Sequence, residues 1–326
     1  MSVSSMCFGQ KSPTHKTLDS IIAHAENHSL YRQNVDWSTL KAAMYDLAKD
    51  ADSVAALKPA IDLMLKELKD THGRVFYNRR YLSYYSEGLK GHLQDLDWDV
   101  YGEIQSAQVY PFKVELLPEQ IGYVRIVGLP MGDNQKMASD IQKAVCKLIE
   151  EGAKKWIIDL RYNGGGNMFP MIEGITAIVG NGQVGGTKGV TETESSSWRI
   201  DNGDFYYDAQ TIALENTCAI DTNPKIAVLT SMYTASSGEA LAVILKKRPN
   251  TRFFGTKTNG KITATDWKQI DDLTAMSISV SYYKDRENTV YDRYVDVDET
   301  IAFDPKAAKE NDKGLLRAIK WLQRKE

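Results

Sequence analysis

The sequence predicts an α/β fold: a mostly parallel sheet with crossover helices, preceded by a small helical domain. Two patterns predict it. From Ile121 onward, apolar runs of strand length alternate with segments of helical period, the order that builds a parallel sheet. Before that point, Leu57, Ile61, Met64, Leu65 and Leu68 recur at i, i+4, i+7, i+8 and i+11, a stripe on one helix face.

The first residues, MSVSSMCFGQKS, are small, polar and mildly apolar. Lacking a basic start and a long apolar core, residues 1–16 read as a disordered end or the remnant of a trimmed signal peptide. Residues 17–75 read as the helical domain, with Asp36 and Ser38 placed to cap the segment that carries Leu40, Ala43, Met44 and Leu47. Residues 76–119, rich in tyrosine and short polar pieces, read as a connector with a strand or two. Tyr77, Tyr81, Tyr84 and Tyr85 fit aromatic packing under a long loop better than the lining of a pocket.

Residues 120–326 carry the alternating pattern. Strands are expected at 122–128, 155–161, 225–230 and 252–255, and helices at 133–151, 168–179 and 237–248. Met137, Ile141, Val145 and Leu148 share one face of the first of these helices. The polar stretch 180–220, rich in Gly, Thr and Ser, reads as irregular or hairpin-like. Residues 276–282 alternate as a half-buried strand, and 313–324 form a closing helix. No internal repeat is present.

Composition narrows the function. The chain has 326 residues, 42% hydrophobic and 25% charged, so it is long enough to bury a sizeable core. A net charge of −3 without a long basic run argues against a nucleic-acid partner. No apolar run approaches the length of a membrane span. The three cysteines, Cys7, Cys146 and Cys218, fit no metal-knuckle spacing, and their odd number argues against a disulfide framework. Cys146 lies in an apolar helix pattern and reads as a small core residue. The five histidines form no HExxH pair, so no zinc site is expected.

The chemistry concentrates in 231–261, SMYTASSGEALAVILKKRPNTRFFGTKTNGK. Small residues and hydroxyls open it, a helix and a strand follow, and a loop ends in Gly260-Lys261. A serine hydroxyl barely ionises at neutral pH and needs a proton acceptor within hydrogen-bond reach. A lysine whose pKa is depressed by burial can be that acceptor. A second motif, Asp159-Leu160-Arg161-Tyr162-Asn163-Gly164-Gly165-Gly166-Asn167, ends a strand, turns on three glycines and starts a helix. It matches neither dinucleotide nor phosphate-loop spacing. It reads as an oxyanion hole of backbone N–H groups or as a tight strand-to-helix turn. The third, Asp70-Thr71-His72-Gly73-Arg74, puts a histidine at the end of the helical region, by itself a capping or packing residue.

Together the three motifs resemble the S41 peptidase family, which includes C-terminal processing peptidases and tricorn-like proteases. In that family a strand ending DxRxNGGG precedes a serine motif SASxxE, and the lysine of a TxGK motif follows the serine by 25 positions. Here Ser236 stands three residues before Glu239, and Lys261 of Thr258-Asn259-Gly260-Lys261 stands 25 positions after Ser236. The likeness covers roughly residues 120–300. Asp70–Arg74 resembles the DxHS segment whose histidine serves as general base in tricorn-like members.

The resemblance implies a ClpP- or crotonase-like spiral of ββα units behind the helical domain. It also implies a serine endopeptidase that cleaves protein or peptide chains through an acyl-enzyme, without metal or cofactor. Ser236 would be the nucleophile and Lys261 the base, with His72 as an alternative base or a substrate-side group. The N–H groups of Ser237 and of Gly164 or Gly165 would hold the oxyanion. Family habit places the protein outside the cytoplasm. Two alternatives share the fold or the chemistry: a non-proteolytic binder of apolar ligands, and an esterase or amidase of small substrates.

The chain departs from the pattern in four places. Thr265 stands where processing peptidases have a glutamine, and about 45 residues precede the core where a PDZ domain would need more. Residues 297–301 match the PDxxV segment without its proline. Asp292 stands near the position of the tricorn-like glutamate, where a surface strand end is the plainer reading.

Overall fold

Ser12 and Pro13 start the first helix in the computed structural model: the serine hydroxyl accepts the His15 N–H at 3.3 Å and the proline fills the first position. The structure describes residues 12–86, 97–99, 102, 112–212, 214, 218 and 223–324. Most of the expected N-terminal remnant, and Cys7 with it, lies outside them. The chain divides into two units, Met1–Gly91 with Thr265–Val280, and His92–Ala264 with Ser281–Glu326.

The first unit opens with three helices, α1 (Pro13–His28), α2 (Trp37–Ala48) and α3 (Lys58–Leu68). Asp36 caps α2 by accepting the N–H groups of Ser38 and Thr39. The stripe Leu57, Ile61, Met64, Leu65 and Leu68 is buried against Leu18, Ile21 and Met44. Full burial of such a side chain stabilises the fold by roughly 1.5–3 kcal/mol. Lys69 ends α3 with a left-handed φ of 56°. Strands β1 (Arg74–Tyr77) and β2 (Arg80–Tyr84) follow as a hairpin, turned by Asn78 and Arg79 at φ 49° and 63°.

The expected boundary after residue 75 is therefore not where the units part. β1 belongs with the helices and pairs with Thr274–Ser277, a strand almost two hundred residues later. The complete four-stranded sheet runs Lys268–Gln269, Thr274–Ser277, β1, β2. Met276 and Ile278 close the helical core from this returning segment. Tyr81 and Tyr84 are 63% and 62% exposed on the edge strand β2, so they do not pack beneath a loop.

The second unit begins with β3 (Phe112–Leu117) and β4 (Ile121–Ile126), then α4 (Asn134–Glu150), β5 (Lys155–Asp159) and the short helices α5 (Met168–Glu173) and α6 (Thr176–Val179). Next come β6 (Gly182–Lys188), β7 (Ser196–Asp201), β8 (Asp204–Tyr207) and β9 (Gln210–Thr211). The chain continues through β10 (Lys225–Thr230), α7 (Ser237–Leu245), β11 (Thr251–Gly255) and β12 (Thr263–Thr265). After β13 (Lys268–Gln269) and β14 (Thr274–Ser277) of the first unit come β15 (Ser279–Asp285), β16 (Val290–Tyr291), β17 (Glu299–Thr300) and α8 (Lys313–Leu322).

Six of these strands form a sheet in the order β17-β11-β10-β5-β4-β3, parallel except for β3. Its central strands are apolar on both faces because both are covered. Trp156, Ile158, Ile226 and Val228 face a core shared with Ile141, Val145 and Leu241 of the helices. Ile157, Ala227, Leu229 and Phe254 face Leu315, Ala318 and Leu322 of α8.

The polar stretch 180–220 is more regular than its composition suggests. β6 to β9 are consecutive antiparallel strands of a second sheet, anchored by Trp198, Ile200 and Phe205. β7 alternates buried and exposed strictly, with Ser196, Trp198 and Ile200 inward, but the adjacent serines Ser196 and Ser197 leave only two apolar residues to show the period. The reading of the cysteines is also corrected: Cys146 on α4 is bonded to Cys218. An odd count leaves one cysteine over but does not exclude one bridge, and only the fold brings these two Cα atoms to 5.3 Å. Among the described residues, no helix is long and apolar enough to cross a membrane.

Candidate active site

Two strand ends of the parallel sheet build the site. Where β5 ends, Asp159 accepts the Arg161 backbone N–H (3.0 Å), its Nε (3.0 Å) and a terminal nitrogen (2.7 Å), together with the Tyr123 hydroxyl (2.8 Å). Arg161 also grips both oxygens of Asp312, the cap of α8, at 2.8 Å. All three groups are largely shielded from water, so removing one partner leaves an uncompensated charge. This bridge sets the direction in which the chain enters the glycine turn.

Where β10 ends, the chain turns sharply into α7. The Ser231 hydroxyl donates to the Arg161 carbonyl at 2.6 Å, the Thr234 hydroxyl donates to the Leu160 carbonyl at 2.8 Å, and the Ala235 N–H donates to the Asn163 carbonyl at 2.9 Å. The hydroxyl-rich composition before Ser236 thus serves to tie the second turn to the first. Ser236 caps α7 at φ 55° and ψ −120°, a region side-chain-bearing residues rarely occupy. Strain of this kind costs about 1–3 kcal/mol and persists where surrounding bonds enforce it.

The glycines give the approach that such a turn requires. A Cβ on Gly165 would sit 2.7 Å from Ser236 Cβ and 3.2 Å from Ser236 Oγ; one on Gly166 would sit 2.0 Å from the Leu129 carbonyl. Both glycines have φ 103°. Gly238 is equally constrained, since its Cβ would lie 2.5 Å from the Asn163 carbonyl. Ser236 and Ser237 separate in role here. The Ser237 hydroxyl donates to the Gly166 carbonyl at 2.6 Å, a tether between the two turns, while the Ser236 side chain faces Gly165.

The expected oxyanion donors need revision. Gly164 N–H donates to the Val127 carbonyl at 3.0 Å, and Gly165 N–H to Asn163 Oδ1 at 3.0 Å. Asn167 N–H donates to the Leu129 carbonyl at 2.8 Å. Among the described residues of this turn, the N–H groups of Tyr162 and Gly166 meet no hydrogen-bond acceptor, and of these Gly166 lies among the glycines. The Ser237 N–H heads α7, where no intrahelical acceptor exists. The buried Asn163, whose side-chain Nδ2 donates to Met171 Sδ at 3.3 Å, is the organiser that the sequence pattern did not single out. Its carbonyl holds the serine turn while its side chain holds the glycine turn.

The lysine loop is stapled to the same turn. Asn259 N–H donates to the Thr234 carbonyl at 2.9 Å, and Asn259 Nδ2 to the Met232 carbonyl at 3.0 Å. Glu239, on the first turn of α7 and fully buried, accepts the Ser236 N–H on one oxygen at 2.9 Å. Its other oxygen accepts the Thr258 hydroxyl at 2.6 Å and the Gly260 N–H at 2.8 Å. Burial pushes the Glu239 carboxyl up to about 7, opposed by these three donors and by the positive charge of Lys261. Lys261, half-buried, follows Gly260 directly.

His72 belongs to the other unit. It is buried in the turn after α3, where Asp70 accepts the His72 and Gly73 N–H groups together with the Ser279 N–H and hydroxyl. Asp292 is exposed. Among the described residues, no cluster of three or more His, Cys, Asp or Glu side chains is arranged to hold a metal ion.

Comparison with known proteins gives the family. The model of peptidase family S41 matches residues 120–301. The nisin-resistance protein of Lactococcus lactis is 29% identical over 138 residues, which cover 42% of this chain and 43% of that protein. The chloroplastic carboxyl-terminal-processing peptidase 2 of Arabidopsis thaliana is 26% identical over 180 residues, 53% of this chain and 30% of that protein. The matched segments span less than half the length of these relatives. A lipoprotein structure from Streptococcus agalactiae superposes with a TM-score of 0.68 at 18% identity, covering 99% of both chains.

Proposed function

The chain belongs to peptidase family S41, and from that premise we propose that it is a serine endopeptidase acting on protein or peptide chains through an acyl-enzyme on Ser236. One observation carries the reading: Ser236 is held in a strained turn at a helix N-terminus with a side-chain-free glycine against its Oγ. In the proposed reaction Oγ attacks the scissile carbonyl while its proton passes to a base. The developing oxyanion meets the Ser237 N–H, the positive end of α7 and a glycine-turn N–H, for which Gly166 has the open donor. The base then protonates the leaving amine, and water repeats the attack on the acyl-enzyme.

Lys261 is the favoured base, because the loop that carries it is tied through Glu239 to the nucleophile's own backbone. His72 remains the second candidate, supported by the tricorn-like resemblance of its segment. The family and the names of the relatives favour peptidase activity over binding of an apolar ligand. The Cys146–Cys218 bridge supports an extracytoplasmic location, since disulfides persist in oxidising compartments.

Labelling with a fluorophosphonate, read by intact mass and peptide mapping, tests the assignment. The adduct is expected on Ser236, and Ser236→Ala should lose both the adduct and peptide hydrolysis while melting at the same temperature. A Ser236→Ala protein that still hydrolyses peptide would overturn it. Lys261→Ala and His72→Ala then separate the two bases: the true base loses labelling at every pH below about 9, and the other variant keeps it.

A further inference from the structure

A buried carboxylate at the meeting point of three donors has few neutral solutions. Ser236 N–H and Gly260 N–H are donors only, and the Thr258 hydroxyl, which already accepts the Val295 N–H at 2.8 Å, directs its own proton at Glu239. A glutamine in its place turns an amide N–H2 towards one of these donors, so that a donor faces a donor. The three donors favour the ionised form, although burial opposes it.

The two oxygens serve different parts of the site. One fixes the amide of the nucleophile, and the other fixes the residue before the lysine and the first residue of the TNGK loop. Among the described residues, Lys261 from the loop and Tyr283 from β15 are titratable groups in electrostatic contact with Glu239. Burial pushes the Tyr283 phenol far up, so it stays neutral, and the positive charge acting on Glu239 is that of Lys261.

We propose that Glu239 is a positioning residue that sets both the geometry and the protonation of the Ser236–Lys261 pair, clamping the nucleophile and the lysine loop with one ionised carboxylate. The proposal rests on the reading of Ser236 as nucleophile and Lys261 as base. Its negative charge favours the lysine ammonium, so the pH at which Lys261 becomes a competent base is tuned by a residue that touches no substrate.

The test measures the rate of fluorophosphonate labelling of Ser236 from pH 5 to 10 for the full chain and for Glu239→Gln and Glu239→Asp, with Ser236→Ala as the blank. Glu239→Gln is expected to slow labelling at least tenfold and to move the midpoint of the rising limb to lower pH by about one unit or more, because an opposite charge has been removed beside the lysine. Glu239→Asp keeps the charge but withdraws the oxygens by one methylene, so labelling slows while the midpoint stays. A purely structural role lowers the rate of Glu239→Gln without moving the midpoint, and that result overturns the proposal. Equal rates and midpoints in all three proteins also overturn it. Should Glu239→Gln fail to fold, Glu239→Ala, which removes the charge and leaves room for water at the three donors, carries the same test: a midpoint lowered by about one unit or more supports the proposal, and an unmoved midpoint refutes it. A wild type that is never labelled, or a Ser236→Ala blank that is, removes the Ser236 reading itself and is distinguishable from either outcome.

Discussion

Gly165→Ala and Gly182→Ala impose the same kind of backbone demand and differ in what the new methyl meets. Gly165 has φ 103° and Gly182 φ 121°, both in the region that favours glycine. Nothing lies within 4 Å of a Cβ on Gly182, whereas one on Gly165 lies 2.7 Å from Ser236 Cβ and 2.9 Å from the Ala235 carbonyl. Each variant should lose about 1–3 kcal/mol of stability to backbone strain. Gly165→Ala must in addition widen a 2.7 Å contact towards the ordinary 3.4 Å, which displaces Ser236 by about 0.7 Å. A misplacement near 1 Å can cost a reaction about a hundredfold, equivalent to about 2.7 kcal/mol of barrier. Fluorophosphonate labelling rates, with thermal melts in parallel, are the assay. Both proteins should melt lower than the wild type, and only Gly165→Ala should label about two orders of magnitude more slowly. If folded Gly165→Ala labels at the wild-type rate, Gly165 does not set the position of the nucleophile. If Gly182→Ala loses labelling equally, strain alone explains the effect and the contact argument fails.

Two further outcomes concern stability. Glu173 on α5 is fully buried, with one oxygen accepting the Phe205 N–H at 2.7 Å, and burial and then Asp204 push its carboxyl up to about 8. The folded chain therefore keeps a proton that the unfolded chain releases near pH 4.5, so stability falls as pH rises through that window and the full cost is present above pH 8. Denaturant unfolding at pH 5 and pH 8 should show a loss that Glu173→Gln abolishes, at most about 5 kcal/mol at 1.36 kcal/mol per unit; identical pH dependence in both proteins refutes it. Reducing the Cys146–Cys218 bridge, or replacing both cysteines by serine, frees a loop spanning 72 residues and should cost up to about 4 kcal/mol; an unchanged melting temperature under reductant would show that the bridge does not constrain the unfolded chain.

Much of the site was legible in the sequence because the residues that make it stand close along the chain. Ser236 and Glu239 share one helical turn, so their spacing reports a physical contact. Asp159 and Arg161 bracket a strand end, and their bond spans two residues. The expected donors Gly164 and Gly165 proved engaged, because their acceptors, Val127 and the side chain of Asn163, are set by the way the turn folds back on the preceding loop.

The sequence by itself determined the periodic elements of the parallel sheet, the helical stripe of the first unit, and the serine and lysine motifs with their separation, because periodicity and short spacing are local properties of a chain. Tertiary structure alone decided the rest. It joined Cys146 to Cys218, returned residues 265–280 to the first unit, paired the strands of the serine-rich stretch, and divided the roles of Ser236 and Ser237. It also made Glu239 a clamp between two loops. Each depends on groups distant in sequence meeting where burial removes water and leaves every polar atom to find its partner within the protein.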